Sequence, residues 1–153
     1  MQNEIENLPM FFVAGIAVRT INKDGQAAKD IGALWQQLMQ GNVAKQLEDY
    51  KEGNEVYCVY TDYESDHNDY YTALLGYKVS AIEYLPDGLT GKAIPASKYE
   101  VFTANGEFPA NIGATWQHIW QANIDRLYTA DFDLYHLQEK FEDTEFKIYV
   151  AVN

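Results

Sequence analysis

The run Phe132-Asp133-Leu134-Tyr135 sets a carboxylate inside a segment that otherwise has the composition of a buried strand. Alternate side chains of a strand share a face, so Asp133 and Tyr135 point one way and Phe132 and Leu134 the other. A carboxylate on an inner strand is costly unless it is paired, hydrogen-bonded or solvated. Two readings follow for Asp133. It faces water or hydrogen-bonds a Tyr or backbone group, or it is the negative floor of an aromatic pocket for cationic or polar aromatic ligands. Material for the walls of such a pocket is plentiful, with 12 Tyr and 3 Trp in 153 residues. Besides Asp133 and Tyr135, the candidates are Trp35, Trp116 and Trp120, with Tyr60 and Tyr77 from strand-like runs of the first half. A plain core position accounts equally well for each Trp.

Other chemistries find little support. Neither G-x-G-x-x-G nor G-x-x-x-x-G-K is present, so no phosphate-cradling loop is expected. His67, His118 and His136 lack metal-ligand spacing, and no Cys joins them. The acidic stretch Asp62–Asp69 resembles a Ca²⁺ loop superficially, but His67 stands where an EF-hand needs Gly and Ala73 where it needs Glu. It is read as a solvated turn. There is no G-x-S-x-G elbow, and no catalytic residue, metal or cofactor is assigned. The single Cys58, inside the apolar run VYCVY, fits a buried structural thiol and a reducing compartment. A net charge of −12 opposes direct nucleic-acid binding and favours a soluble monomer. The apolar stretch LPMFFVAGIAV is preceded by Glu4 and Glu6 and by no Lys or Arg, and it is too short to span a bilayer. It is read as a first strand, and a cytoplasmic location without membrane partners is expected.

The elements that must position these residues are written twice. IGALWQ (Ile31–Gln36) returns 81 residues later as IGATWQ (Ile112–Gln117), with five of six positions identical. Without gaps, seven of 25 positions match between Ile16–Gln40 and Ser97–Gln121, and AVRTINKDG lies over KYEVFTANG. Each copy carries apolar residues at i, i+3, i+4, i+7 and i+8, the stripe of an amphipathic helix. Asp30 and Asn111 stand where they would cap or precede the first packed turn. Gly32 and Gly113 weaken a helix, so close approach to a sheet is their expected reason. Two strand-like runs follow each helix: Glu55–Asp62 and Tyr71–Ile82, then Phe132–Leu137 and Glu145–Val152. An insert, Asn42–Asn54, with a short helix interrupts the first copy, and the loop Leu85–Ser97 joins the two. The expected fold is α+β, one domain over 1–153 made of duplicated β-α-β-β modules at about 8–84 and 95–153. They form a pseudo-twofold antiparallel sheet with two main helices on one side and a groove between the halves.

The succession resembles the GyrI-like effector-binding family, related to the C-terminal ligand-binding domains of AraC- and MerR-type multidrug-responsive regulators. The resemblance runs through RTIN with IGALW, VYTDYESD, LLGYKV, LPDGL with IPASKYEVFTANG, ATWQHIW, DFDLY and FKIYVAV. It implies duplicated β-α-β-β modules and a groove for small aromatic or cationic molecules. The Glu of the family's F-E-x-Y motif is Asp133 here, one methylene shorter. A first strand from about residue 10 leaves no room for the helix-turn-helix domain fused to some relatives. The leading expectation is therefore a stand-alone binding or sensor module for a small hydrophobic, aromatic or cationic compound. Two alternatives stay open. One is a hydrolase of electrophilic toxins using Asp133 with a Tyr, and the other is an acidic protein-interaction inhibitor supported only by the net charge.

Overall fold

Two prolines decide how the strands are divided. Pro9 lacks a backbone donor, so the apolar N-terminal run breaks there into β1 (Glu4–Leu8) and β2 (Phe11–Thr20) and is not one strand. Pro95 makes the same corner between β3 of the joining loop (Thr90–Ile94) and β4 (Ser97–Thr103). To keep chain order, the elements are named as follows: β1, β2, α1 (Gln26–Met39), α2 (Asn42–Gln46), βA (Lys51–Thr61), βB (Tyr71–Val79), β3, β4, α3 (Ala110–Gln121), βC (Ala130–His136) and βD (Glu145–Val152).

 This computed structural model describes residues 4–104, 107 and 110–153.

All eight strands join one antiparallel sheet in the order β1-β4-βD-βC-βA-βB-β2-β3. The order is palindromic: β2-α1-βA-βB forms one half and β4-α3-βC-βD the other, meeting where βA pairs with βC. After each proline corner's first strand the chain crosses over, so β1 lies on the second half's edge and β3 on the first half's. One row of cross-strand partners runs Ile16, Leu75, Cys58, Asp133, Ile148, Phe102, symmetric about the Cys58–Asp133 pair. The helices repeat at a shift of 81 residues, but this row matches Ile16 with Phe102, a shift of 86 that also superposes Pro9 on Pro95. The ungapped alignment of the strand segments is thus corrected by five residues. The turn pairing of Asp24 with Asn105 and Gly25 with Gly106 lies partly outside the described residues.

Alternation gives the sheet two apolar faces. One packs under the helices through Leu34 and Leu38 of α1, Ile119 of α3, and sheet residues such as Leu75, Ile148 and Val150. The other gathers Phe11, Tyr57, Tyr99, Phe132 and Tyr149. Phe11 and Phe132 have ring centres 5.4 Å apart although two strands separate theirs, a lateral distance of about 14 Å in a flat sheet. The sheet therefore curls around this second cluster. Gly15 and Gly76 face each other in the β2–βB ladder, where a Cβ on Gly76 would stand 1.9 Å from the Ala14 carbonyl oxygen. Only paired glycines permit that close backbone approach.

Helix α1 begins at Gln26 behind the left-handed Gly25. Asp30 is therefore inside the helix, accepting from the Gln26 side chain at 2.9 Å, and does not cap it. Asn111 is likewise the second residue of α3.

Candidate functional site

The face of each helix turned away from the sheet's central packing borders a groove of about 340 Å³ between α1 and α3. Each wall presents the repeated motif: Ile31, Gly32 and Trp35 on one side, Ile112, Gly113 and Trp116 on the other. Trp120, one turn beyond Trp116, joins them. A Cβ on Gly32 or Gly113 would meet nothing within 4 Å. The expected close approach to the sheet is therefore not their reason, and the missing side chains leave the groove open instead. The floor is Tyr60 of βA, Tyr71 of βB and Tyr135 of βC. Trp35 stands edge-on to Tyr135 with ring centres 5.0 Å apart, and Trp116 stands edge-on to Tyr60 at 5.1 Å.

Asp133 lies one layer below this floor, fully buried. The hydroxyls of Tyr60 and Tyr135 both donate to its Oδ2, at 2.6 and 2.7 Å, and the Trp116 indole N–H donates to Oδ1 at 3.0 Å. Alternation along βC places it as its strand pattern requires, with Tyr135 on the helix side and Phe132 and Leu134 on the other. Burial pushes the Asp133 carboxyl up to about 6, while the three donors pull in the opposite direction. Burial first, and then the nearby carboxylate, push the Tyr60 and Tyr135 phenols far above their ordinary range, so both remain donors. Cys58, opposite Asp133 on βA, is a free buried thiol pushed up by burial and by the same carboxylate. Among the described residues, no Lys or Arg forms an ion pair with Asp133.

Of the candidates read from sequence, Tyr60, Trp35, Trp116, Trp120 and Tyr135 line the groove, and Asp133 accepts from three of them, Tyr60, Tyr135 and Trp116. Tyr77 does not join them. It shares a face of βB with Tyr71 but lies six residues along the strand, about 20 Å away, where Lys51 covers its ring.

Several lining residues escaped sequence reasoning. The acidic stretch after βA is not merely a solvated turn: Asp62 meets Lys92 at 2.7 Å and Glu64 meets Arg19 at 3.0 Å, while Tyr63 and His67 turn into the groove. His67 lies flat on Trp120, with ring centres 5.4 Å apart and planes 4° apart. Burial, and next the charge of Arg126, hold the His67 imidazole below its ordinary pKa. Arg126, in the segment between α3 and βC, also lines the groove. Its Nη2 pairs with Asp131 at 2.7 Å, both side chains being almost fully buried. Asp131 also accepts from the Tyr63 hydroxyl at 2.6 Å and the Ala151 N–H at 2.8 Å. Asp131 stands two residues from Asp133, so strand parity placed it on the same face. Arg126 and His67 sit in loops and carried no periodic signal.

Over residues 4–152 the chain matches the family model Cass2, described as integron-associated effector binding protein. The YobU protein of Bacillus subtilis (strain 168), whose name suggests a transcriptional regulator, is 28% identical over 98% of this chain and 97% of its own length. The integron cassette protein VCH_CASS2 of Vibrio cholerae is 26% identical, with a TM-score of 0.77 over 100% of this chain and 97% of that one. SAV2435, solved bound to tetraphenylphosphonium, shares the fold at 20% identity and a TM-score of 0.79, over 100% of this chain and 94% of that one. No helix among the described residues is long and apolar enough to cross a membrane.

Proposed function

The chain belongs to the Cass2 family of integron-associated effector binding proteins, and on that premise we propose that its groove receives aromatic or apolar monocations. The wider relation is to GyrI-like effector-binding domains, and the role is that of a sensor or sequestering module. The observation that carries this reading is Asp133: a buried carboxylate without a cationic partner among the described residues, set directly behind an aromatic floor. The neighbouring Asp131 is matched by Arg126, so the site holds one negative charge in excess when Asp133 is ionised.

A bound monocation would offset that charge without touching it, because Tyr60, Tyr135 and Trp116 stand between. Their phenol and indole dipoles point their positive ends at Asp133, and a cation in the groove is attracted by the electron-rich faces of the rings that line it. Each ring face that a cation meets contributes about 1–2 kcal/mol when desolvated. The tetraphenylphosphonium bound to SAV2435 is a lipophilic monocation of this chemical class, and its host has the same fold. Asp133 has both oxygens occupied and no exposed surface, which supports electrostatic selection over direct participation in a reaction.

All three Trp of the protein line the groove, so tryptophan fluorescence excited selectively over Tyr reports on this site. Titration with tetraphenylphosphonium and with a neutral tetraphenyl analogue should quench the wild type saturably for the cation and much less for the neutral compound. Equal response to both compounds would remove the electrostatic basis of the proposal.

A further inference from the structure

The excess negative charge selects a cation but leaves unexplained the part of the groove beside Trp116 where Arg126 sits. There the side chain of Arg126 is only 4% exposed, yet its Nε and Nη1 have no hydrogen-bond partner among the described residues. A buried guanidinium donor left unmatched costs more than a made hydrogen bond returns, so such a group calls for an occupant. The guanidinium cannot simply turn away. Nη2 is held on Asp131, which is itself fixed by Tyr63 and by the backbone of βD, and the segment bridges to Val152. Its Cζ lies 4.3 Å from the Tyr128 ring centre and 5.8 Å from that of Trp116. His67, which also lines the groove, has a buried Nδ1 without a partner among the described residues.

We infer that Arg126, with His67 beside it, forms a subsite for a neutral hydrogen-bond acceptor carried by the same ligand: a carbonyl, ether or ring-nitrogen group on an aromatic body. The inference rests on the groove being the ligand site. Charge decides between a neutral and an anionic acceptor. Arg126 is already matched by Asp131, and Asp133 contributes a further negative charge nearby, so a second anion would meet two carboxylates and one guanidinium. A neutral acceptor takes the free N–H groups without that repulsion. Trp116 connects the two poles, with its indole N–H on Asp133 and Arg126 over its ring. A ligand about as large as a bicyclic aromatic ring can therefore address both.

The test uses N-methylquinolinium and its carboxamide positional isomers, together with the uncharged pair naphthalene and naphthalene carboxamide, at pH 7.5. The ratio of Kd values within each pair is compared between wild type and Arg126→Lys, which keeps the charge for Asp131 but loses the fixed donors. At least one carboxamide isomer should bind the wild type roughly tenfold tighter than its parent, and the ratio should fall toward one in the variant. Should Arg126→Lys fail to fold, ¹⁵N NMR of the wild type gives the same answer: the Arg126 Nε–H resonance should move with the carboxamide and not with the parent. No gain for any isomer, a gain that survives Arg126→Lys, or an unmoved Nε–H resonance would each overturn the subsite. A gain in the uncharged pair with no preference for the cations would retain the subsite and overturn the cation reading instead.

Discussion

Replacing Asp133 with Asn removes the excess charge and keeps the size of the side chain. A monocation seated on the far side of Tyr60, Tyr135 and Trp116 would lie about 6 Å from the carboxylate, one hydrogen bond plus one van der Waals contact. At that distance and an effective dielectric near 20, the attraction is worth about 3 kcal/mol. Allowing for imperfect alignment, Asp133→Asn should weaken an aromatic monocation by roughly 30- to 100-fold. A neutral compound of the same shape should change by less than about threefold. The same charge gives a pH signature. With a pKa of about 6, Asp133 is protonated in half the molecules at pH 6, and bound cation displaces that proton. Cation affinity of the wild type should therefore be about tenfold weaker at pH 5 than at pH 8, with a plateau above pH 7. Protonation of His67 acts in the same direction, but Asp133→Asn retains His67, so the difference between the two profiles isolates the carboxylate. Calorimetric titration of both proteins from pH 5 to 8 reads every quantity. Parallel pH profiles, or a loss below about threefold at pH 8, would refute the reasoning.

Stability supplies a separate check on Asp133. Its folded pKa is raised from 3.8 to about 6, so the native state holds the proton more tightly than the unfolded chain does. Stability is then gained as pH falls through 6 toward 3.8, and wild type should gain about 1 kcal/mol relative to Asp133→Asn between pH 7 and pH 5 in urea titrations. Gly113→Leu should project into open groove, raise helix propensity and leave the melting temperature undiminished while weakening cation binding by tenfold or more. A lowered melting temperature would instead restore a packing role for Gly113. Gly76→Ala forces a Cβ against the Ala14 carbonyl and should cost about 3 kcal/mol in chemical unfolding. A cost near zero would show that the β2–βB ladder relaxes freely.

Sequence periodicity made the helices, the paired inner strands and the duplicated module legible, because a long amphipathic stripe and a repeated Gly-Ala-x-Trp leave few alternatives. It also placed Asp133 and Tyr135 on one face. The outer strands were hidden for a physical reason: β1 and β3 are short edge strands of five residues each, and both lie beside Pro-containing segments that resemble loops. The alignment at a shift of 81 masked them further, since Pro9 and Pro95 correspond only at 86. The floor of the groove was half visible. Tyr57-Cys58-Val59-Tyr60 superposes on Phe132-Asp133-Leu134-Tyr135 at the sheet centre, an aromatic-x-x-Tyr signature in both halves. Tyr77 misled because strand parity gives a residue's face and not its distance along the strand. Arg126, His67 and Tyr63 come from loops, and only tertiary folding brings them to the groove.

The superposition of YCVY on FDLY explains why the two halves could not both keep an ionised carboxylate. Cys58 and Asp133 are direct partners across the pseudo-twofold axis, so a second Asp would face the first at about 5 Å in a buried place. One carboxylate at the axis serves both halves, since the symmetry-related Tyr60 and Tyr135 each reach it. Around them one pair of tryptophans keeps the symmetry, Trp35 on Tyr135 and Trp116 on Tyr60, while the indole N–H bond of Trp116 and Trp120, whose counterpart is Met39, break it. The carboxylate should therefore work from either side of the axis. The exchange variant Cys58→Asp with Asp133→Cys moves it across, with Tyr60 and Tyr135 still in reach and Trp35 taking the place of Trp116 as the third donor. Cation affinity in the exchange variant should recover to within about tenfold of wild type, whereas Asp133→Cys alone should match the loss in Asp133→Asn. Cys58→Asp alone should hold one proton between two carboxylates at neutral pH and bind a cation with near wild-type charge dependence. If the exchange variant folds but binds no better than Asp133→Cys, the site depends on the Trp116 side alone, and the central carboxylate is not shared by the two halves.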